Sequence, residues 1–549
     1  MKVLIVGGVA GGATLAARLR RLDENVEIVL FEKGEYVSYA NCGLPYYIGG
    51  VITDREDLFL HTVESLSTRF RLDIRDMAEV ISIDSQNKTV KVHDLKNGKD
   101  YIEKYDKLVL STGADPIRPS LPGIENEGIF TLRNVTDTDK IKSYISDNTP
   151  KKAVIIGGGF IGLEMADNLN HAGIETTIIE KTMQVMAPLD YSMASIIHNY
   201  LRNLEINLTF GAGVSAFERN GNSIKVILEN KEKIDTDMVV LSIGVSPDNK
   251  LAKGCGLKIG ETGGIHVDEY MQTSDKDIYA LGDSVEVFNP VIEKYSLIAL
   301  AGPANKQARI VADNIVYGNK NKYIGTIGTS IAKIGNLTVA ATGASSKLLD
   351  KEKIQHITSY THGSSHASYY PGAHQLSIKI NFAPDTGKLL GVQIIGYDGV
   401  DKRIDLFSQV IKKNGTIYEL QEIEHGYAPP YSSAKDPVNI AGFVAENMLT
   451  GKVKAIYWNE IENLDKNNSF LIDTRTVGEF NRGHIGGAVN ISLDTIRGKF
   501  NEIPKDKKII IYCAVGLRGY IAARILMQNG YEDVYNLSGG YETYRYAIG

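Results

Sequence analysis

The chain has 549 residues, and at roughly 150 residues per domain that length suggests about three or four domains. Its 43% hydrophobic and 23% charged residues supply enough apolar mass for several buried cores and exclude disorder over most of the length. A balance of 60 Lys+Arg against 66 Asp+Glu, net −6, leaves no footprint for nucleic acid or an anionic membrane, and three cysteines exclude a disulfide scaffold.

Residues 2–19 are apolar behind one Lys, superficially like a signal peptide. Their interior argues otherwise. Lys2–Val6 is a β-branched run, a glycine cluster follows, and Ala13–Leu22 has helical composition, so the segment reads strand, turn, helix. No stretch reaches about 18 unbroken apolar residues, and a cytoplasmic enzyme without a membrane partner is the expectation.

The turn is Gly7-Gly8-Val9-Ala10-Gly11-Gly12. A dinucleotide turn needs a first Gly for positive φ, close backbone approach to a pyrophosphate, and a last Gly for helix–strand packing. Gly7 and Gly12 fill the outer roles, while Val9 stands where a Gly is usual. A second strand, Val26–Phe31, ends in Glu32, placed to accept ribose hydroxyls.

The pattern recurs about 150 residues later. Ala153–Ile156 is a strand, Gly157-Gly158-Gly159-Phe160-Ile161-Gly162 is a full fingerprint, and Thr176–Ile179 leads to Glu180. Glu180 favours a free 2′-hydroxyl, hence NADH; Lys181 beside it could soften repulsion of a 2′-phosphate and leaves NADPH open. Two nucleotide cofactors are implied.

Two more segments complete the set: the strand Leu108–Leu110 ending in Ser111-Thr112-Gly113, and a second strand, Thr273–Asp283, ending at Gly282-Asp283. With these, residues 1–447 resemble the two-dinucleotide flavoprotein disulfide reductases. The resemblance implies that the first unit holds FAD, that Gly282-Asp283 contacts the flavin's ribityl and phosphate region, and that the inserted unit holds NAD(P)H.

Members with two cysteines close a disulfide beside the flavin. Here Cys42 lies in Ser38-Tyr39-Ala40-Asn41-Cys42-Gly43-Leu44-Pro45-Tyr46, and the partner positions hold Pro45 and Tyr47. Cys42 must therefore work with an external thiol or as an oxidised sulfur. Asn41 is expected to N-cap a helix with Pro45 in its first turn, and the helix start to stabilise the thiolate. Cys255, in Gly-Cys-Gly, reads as a small packing residue.

This segment, and the turn with Val9, resemble the single-cysteine branch, the coenzyme A disulfide reductases. That resemblance implies a Cys42–S–S–CoA mixed disulfide, reduced by NADH through FAD. It implies CoA contacts at Ser38, Asn41, Arg18, Arg21 and Lys435; arginines suit CoA's phosphates. It also implies two tyrosines supplied across a homodimer, Tyr369 and Tyr427, whose phenols can donate to a departing thiolate. Tyr370, adjacent to the first, stays open as its substitute. His362, His366 and His374 cluster, but no Cys or acid completes a ligand set, and no metal is expected.

After a short basic linker the pattern restarts. Phe470–Ile472 runs into Asp473-Thr-Arg475, Gly483–Ile491 follows, and the strand Lys508–Tyr512 ends at Cys513. The loop Cys513-Ala-Val-Gly-Leu-Arg518 precedes a helix expected over Gly519–Gln528, so its N–H groups and Arg518 can hold a thiolate, persulfide or oxyanion. An Arg five residues after Cys also occurs in tyrosine phosphatases. The six-residue loop, with Gly-His-Ile-Gly-Gly-Ala and Leu537-Ser-Gly-Gly540, instead resembles a rhodanese domain.

The resulting expectation is an α/β protein. An FAD-binding domain spans 1–112 with 246–322, and an NAD(P)H-binding domain 113–245. An α+β dimerisation domain spans 323–447, a linker 448–456 and an α/β rhodanese domain 457–549. The whole resembles a coenzyme A disulfide reductase fused to a rhodanese, a fusion associated with reduction of CoA persulfide and polysulfide. An NADH oxidase or peroxidase cycling through a Cys42 sulfenic acid, and a sulfur carrier or sensor without turnover, stay open, as do the physiological substrate among these thiol, disulfide and persulfide compounds and the direction of sulfur flow between Cys513 and Cys42.

Overall fold

The computed structural model describes residues 1–221 and 223–548; Asn222 and Gly549, the last residue of the expected rhodanese domain, lie outside the described residues. The chain forms two compact units, Met1–Val185 with Glu205–Gly328, and Met186–Leu204 with Thr329–Gly549.

The first unit holds two parallel sheets. In one, the order is Ile278–Ala280, Lys107–Leu110, Lys2–Val6, Glu27–Phe31, Asp73–Arg75. In the other it is Asn207–Phe210, Glu175–Glu180, Lys152–Ile156, Met238–Leu241, Ile129–Thr131. After a leading lysine the central strands are apolar because a parallel sheet is covered on both faces: Val3, Leu4 and Ile5 are fully buried, as are Val109 and Ile155. In each sheet the glycine turn lies at the carboxyl end of the central strand. That is where crossover helices leave a crevice for a ligand. Of the expected Thr273–Asp283 strand, only Ile278–Ala280 pairs; Thr273 and Asp275 instead form a side-chain-bonded turn.

The second unit holds an antiparallel sheet, ordered Ser330–Ile334, Leu337–Gly343, Leu389–Gly396, Gln375–Phe382, Ile357–Ser364. Every residue of Leu389–Gly396 is buried. The helix Tyr191–Asn203, inside the sequence span assigned to nucleotide binding, groups with this unit. The reason lies at its start. Asp190 accepts from Lys379 Nζ at 2.6 Å, Gln393 Nε2 at 2.7 Å and the N–H groups of Ser346 and Lys347. These donors hold its carboxyl below the usual range against the opposing effect of burial.

The same unit ends in a parallel sheet ordered Lys454–Ile456, Val534–Leu537, Lys508–Tyr512, Ser469–Asp473, Val489–Asn490. Its first strand lies within the segment read as a linker, so that segment is built into the sheet. Among the described residues, no helix is long and apolar enough to cross a membrane.

Candidate active site

The first glycine turn is sterically determined. Gly7 sits at φ +100°, and a Cβ on Gly12 would collide with the Gly7 carbonyl. Val9 occupies the helix N-cap at φ −95°, outside the positive-φ region that favours glycine. Ala10 begins the helix Ala10–Leu22. Glu32 accepts from Gly8 N–H at 2.8 Å and Gly34 N–H at 2.9 Å, which fixes its carboxylate at the strand end. A Cβ on Gly11 would run into Leu281 and the Ser111 hydroxyl, so only a bare backbone lets the helix start pack this closely on those residues. Ser111 N–H bonds back to Val6, Thr112 Oγ1 donates to Asp248 O at 2.6 Å, and Gly113 and Gly282 take positive φ. Gly282 N–H donates to Gln307 Oε1 at 2.8 Å. Burial raises the Asp283 carboxyl pKa. A helix N-terminus, an acid at the second strand end and flanking small residues fit the pyrophosphate and ribose of a dinucleotide.

The second turn repeats these solutions. Gly157 is at φ +103°, and a Cβ on Gly162 would strike the Gly157 carbonyl and the Ser242 hydroxyl. Gly159 faces open space. Glu180 accepts from Gly158 N–H at 2.9 Å and Thr182 N–H at 2.9 Å. Lys181 points elsewhere, onto Glu229 at 3.1 Å.

Around Cys42 the structure corrects two expectations. Asn41 makes no side-chain cap: Asn41–Gly43 is a 3-10 turn, Gly43 is the N-cap of the helix Leu44–Ile48, and neither start carries a side-chain hydrogen bond. Pro45 does occupy the first turn. The Cys42 thiol is pushed up, not down. Desolvation of the sulfur is the largest cause, followed by the carboxylates of Glu164 and Asp283. A five-residue helix supplies too little dipole to outweigh two acids. Glu164 went unnoticed in the sequence because it belongs to the second fingerprint helix, Phe160–His171, which packs against Leu44–Ile48. Burial lifts its own pKa to about 7, against the bond it receives from Tyr46. Tyr46 in turn is raised to about 12, mainly by burial and then by Glu164. Cys42 is exposed, whereas Cys255 is half-buried beside the first core with Sγ directed at Ala252 O.

The expected CoA contacts differ in freedom. Arg18 is ion-paired with Asp313 at 2.9 Å. Arg21 is exposed, with its guanidinium over the Phe70 ring. The neighbouring Arg20 is buried and donates to the carbonyls of Phe70, Glu24 and Arg71. Ser38 is held at φ +51° by backbone bonds to Gly8 and Leu60. Asn41 and Lys435 are exposed.

In the second unit, Tyr369 and Tyr427 share a hydrogen bond of 2.9 Å between their phenolic oxygens, and both are open to solvent, at 74% and 51% exposure. Tyr370 does not join them; its ring stands edge-on to His366. One buried cation braces both tyrosine segments. Arg403 forks onto Asp436 at 2.9 and 2.7 Å and donates to Ser365 O at 2.7 Å. Asp436 also accepts from Ser432 Oγ at 2.6 Å and caps the helix Pro437–Leu449 through Val438 N–H. His362 is engaged by Ser377 and Thr543, and the His374 ring packs on Tyr397.

Cys513 is buried at the end of Lys508–Tyr512, and its sulfur accepts from Gly516 N–H at 3.1 Å. The helix begins at Leu517, two residues before the expected start, because Gly516 at φ +106° turns the loop sharply. Arg518 therefore lies in the first helical turn, where its guanidinium grips Glu479 at 2.8 and 2.6 Å. The loop carbonyls of Cys513 and Ala514 accept from Tyr541 and Glu542 N–H.

The model of the pyridine nucleotide-disulphide oxidoreductases matches residues 1–308, that of their dimerisation domain 329–437, and that of the rhodanese-like domain 459–547. The chain belongs to the pyridine nucleotide-disulphide oxidoreductase family and carries a C-terminal rhodanese-like domain. Among individual relatives, it is 34% identical over 445 residues to the coenzyme A disulfide reductase of Staphylococcus aureus, covering 81% of this chain and 100% of the relative. The crystal structure of reduced Bacillus anthracis CoADR-RHD matches at 49% identity and TM-score 0.97, covering 100% of this chain and 98% of that one. An NAD-dependent persulfide reductase from A. fulgidus matches at 35% identity and TM-score 0.93, covering 99% and 100%.

Proposed function

We propose that the protein is an NADH- and FAD-dependent reductase of CoA disulfide and CoA persulfide, with a rhodanese domain that delivers sulfane sulfur. The observation that carries this reading is an exposed Cys42 with tyrosine and proline at both intramolecular partner positions, in a chain that also bears Cys513 at a rhodanese-type loop. The relatives' names support CoA as the thiol partner.

FAD, when bound, supplies two-electron transfer from the nicotinamide nucleotide to sulfur. Gly7, Gly8, Gly11 and Gly12 with Glu32 would seat its pyrophosphate and ribose, and Ser111, Thr112, Gly113, Gly282 and Asp283 would line the flavin end. Gly157, Gly159 and Gly162 with Glu180 would seat NADH; NADPH binding would place a phosphate against Glu180. Cys42 thiolate attacks one sulfur of CoA disulfide or the inner sulfur of CoA persulfide; the S–S bond breaks, CoA thiolate or hydrosulfide leaves, and the bond formed is Cys42–S–S–CoA. Arg21, Asn41, Ser38 and Lys435 orient the CoA arm, while Arg18 needs release from Asp313 to take part. Tyr369 and Tyr427 of a second subunit donate a proton to the departing sulfur, so the working form is a homodimer.

The test is Cys42→Ser in the flavin-loaded protein. NADH oxidation driven by CoA disulfide should vanish while FAD stays bound, and intact mass should lose a reductant-labile, CoA-sized adduct. Turnover near wild type removes Cys42 from the mechanism. A persistent oxygen adduct on wild-type Cys42 assigns the protein to peroxide or oxygen reduction instead.

A further inference from the structure

The rhodanese loop contains a charge that the sequence pattern hides. Arg518 is the one cationic side chain of the segment Cys513–Arg518, and it is the group that would attract an anionic sulfur donor. In the structure both of its outer nitrogens are bonded to the two oxygens of Glu479. That contact, with further donors at Thr476, holds the Glu479 carboxyl down to about 2, so it is an anion whenever the protein is folded near neutral pH. In this bidentate pair the Glu479 carboxylate offsets the guanidinium charge that Arg518 also directs at the Cys513 sulfur.

Glu479 is itself held in place. It is the third residue of the helix Val477–Asn481, and a reciprocal capping box ties it to Thr476: Thr476 N–H and Oγ1 donate to Glu479 Oε2 at 3.0 and 2.9 Å, and Glu479 N–H donates back to Thr476 Oγ1. The loop side of the pair is apolar, while Arg482 brings a guanidinium nitrogen within 3.8 Å of the Cβ position of Gly478. Ala514, Val515 and Leu517 complete the loop, with Leu517 65% exposed, and Val477 at the start of the Glu479 helix is 63% exposed. A doubly charged oxyanion meets a neutralised arginine and a hydrocarbon rim; an organic thiol with a flexible stem meets a matching surface.

We propose that Glu479 is a specificity-determining residue of the Cys513 site: by neutralising Arg518 it admits an organic persulfide as sulfur donor and disfavours thiosulfate. This deepens, and rests on, the reading of the C-terminal domain as a sulfur-transfer unit. In the favoured step the Cys513 thiolate attacks the outer sulfur of R–S–SH. The new bond is Cys513–S–SH, the inner S–S bond breaks, and its electron pair leaves on RS⁻; no external oxidant or reductant is used. With thiosulfate the leaving group is sulfite, whose two negative charges would develop beside the Glu479 carboxylate, and one proton is taken up by the new persulfide.

The experiment uses the full-length, flavin-loaded protein. Loading of Cys513 is followed by intact mass with thiosulfate and with CoA persulfide as separate donors, for wild type, Glu479→Gln and Glu479→Ala. Gln keeps an amide oxygen for the capping box, whereas Ala removes cap and charge together. The ratio of the two loading rates is read on one preparation, so it is independent of the folded fraction. In both variants the thiosulfate-to-persulfide ratio should rise about tenfold. A ratio unchanged or lowered in both variants, with wild-type Cys513 loaded by CoA persulfide, overturns the role of Glu479 alone. If neither donor loads wild-type Cys513, this assignment and the sulfur-transfer reading fall together.

Discussion

The phenolic oxygens of Tyr369 and Tyr427, 58 positions apart in the chain, lie 2.9 Å from each other. One hydroxyl donates and the other accepts, which leaves a single O–H free to point outward and polarises it. The bond to Tyr427 also raises the Tyr369 pKa. Such a pair is suited to giving a proton to one departing sulfur at a time.

Tyr369→Phe and Tyr427→Phe should therefore be unequal. Loss of the outward donor should slow CoA disulfide reduction about a hundredfold, and loss of its supporting phenol less. Because both rings are exposed, the unfolding temperature should stay within about 2 °C of wild type. Steady-state kcat with calorimetry checks this; equal, small effects would deny the pair a role in proton donation.

The brace beneath the tyrosines should be far more sensitive. Arg403 and Asp436 are both fully buried, and Asp436→Asn leaves the guanidinium uncompensated, a loss of about 3–5 kcal/mol. The Asp436 carboxyl has its pKa lowered by Arg403, Ser432 and Val438 N–H against burial. A depressed folded pKa means that this stability is present above the unfolded pKa, about 3.9, and is lost as pH falls through the folded value. Urea unfolding at pH 7 and pH 3 should show the gap between wild type and Asp436→Asn narrowing in acid.

Cys42 should alkylate slowly at neutral pH in enzyme freed of CoA, with a midpoint above the ordinary thiol value of about 8.5. Glu164→Gln removes one of the two carboxylates that disfavour the thiolate, so the midpoint should fall and iodoacetamide labelling at pH 8 should speed up. An unchanged or raised midpoint would remove Glu164 from the groups that set the thiol.

Cys513→Ala should spare reduction of preformed CoA disulfide and impair NADH oxidation when sulfur comes from a donor supplied with CoA. The two thiols each hold a transfer site, and CoA's pantetheine arm is a flexible traveller between such sites. Equal donor-driven rates in wild type and Cys513→Ala would end the relay.

Much of this was legible from residue order because the constraints are local. A strand, a glycine turn and an acid at the next strand end specify a dinucleotide turn, since positive φ at Gly7 and Gly157, and clearance of their carbonyls at Gly12 and Gly162, involve only a few adjacent residues. The lone Cys42 without a second thiol in its motif, and the Cys513 loop before a helix, are local in the same sense. What pattern could not supply was charge brought from a distance. Glu164 reaches Cys42 across 122 positions of chain and Glu479 reaches Arg518 across 39, and each reverses or cancels the field expected from the nearby backbone. Likewise Arg403 pins two remote segments together, and across them it is Tyr369 that meets Tyr427. Backbone geometry follows from neighbours along the chain, whereas the electrostatics of a thiol depend on every charge within a few ångströms, and only tertiary folding decides which those are.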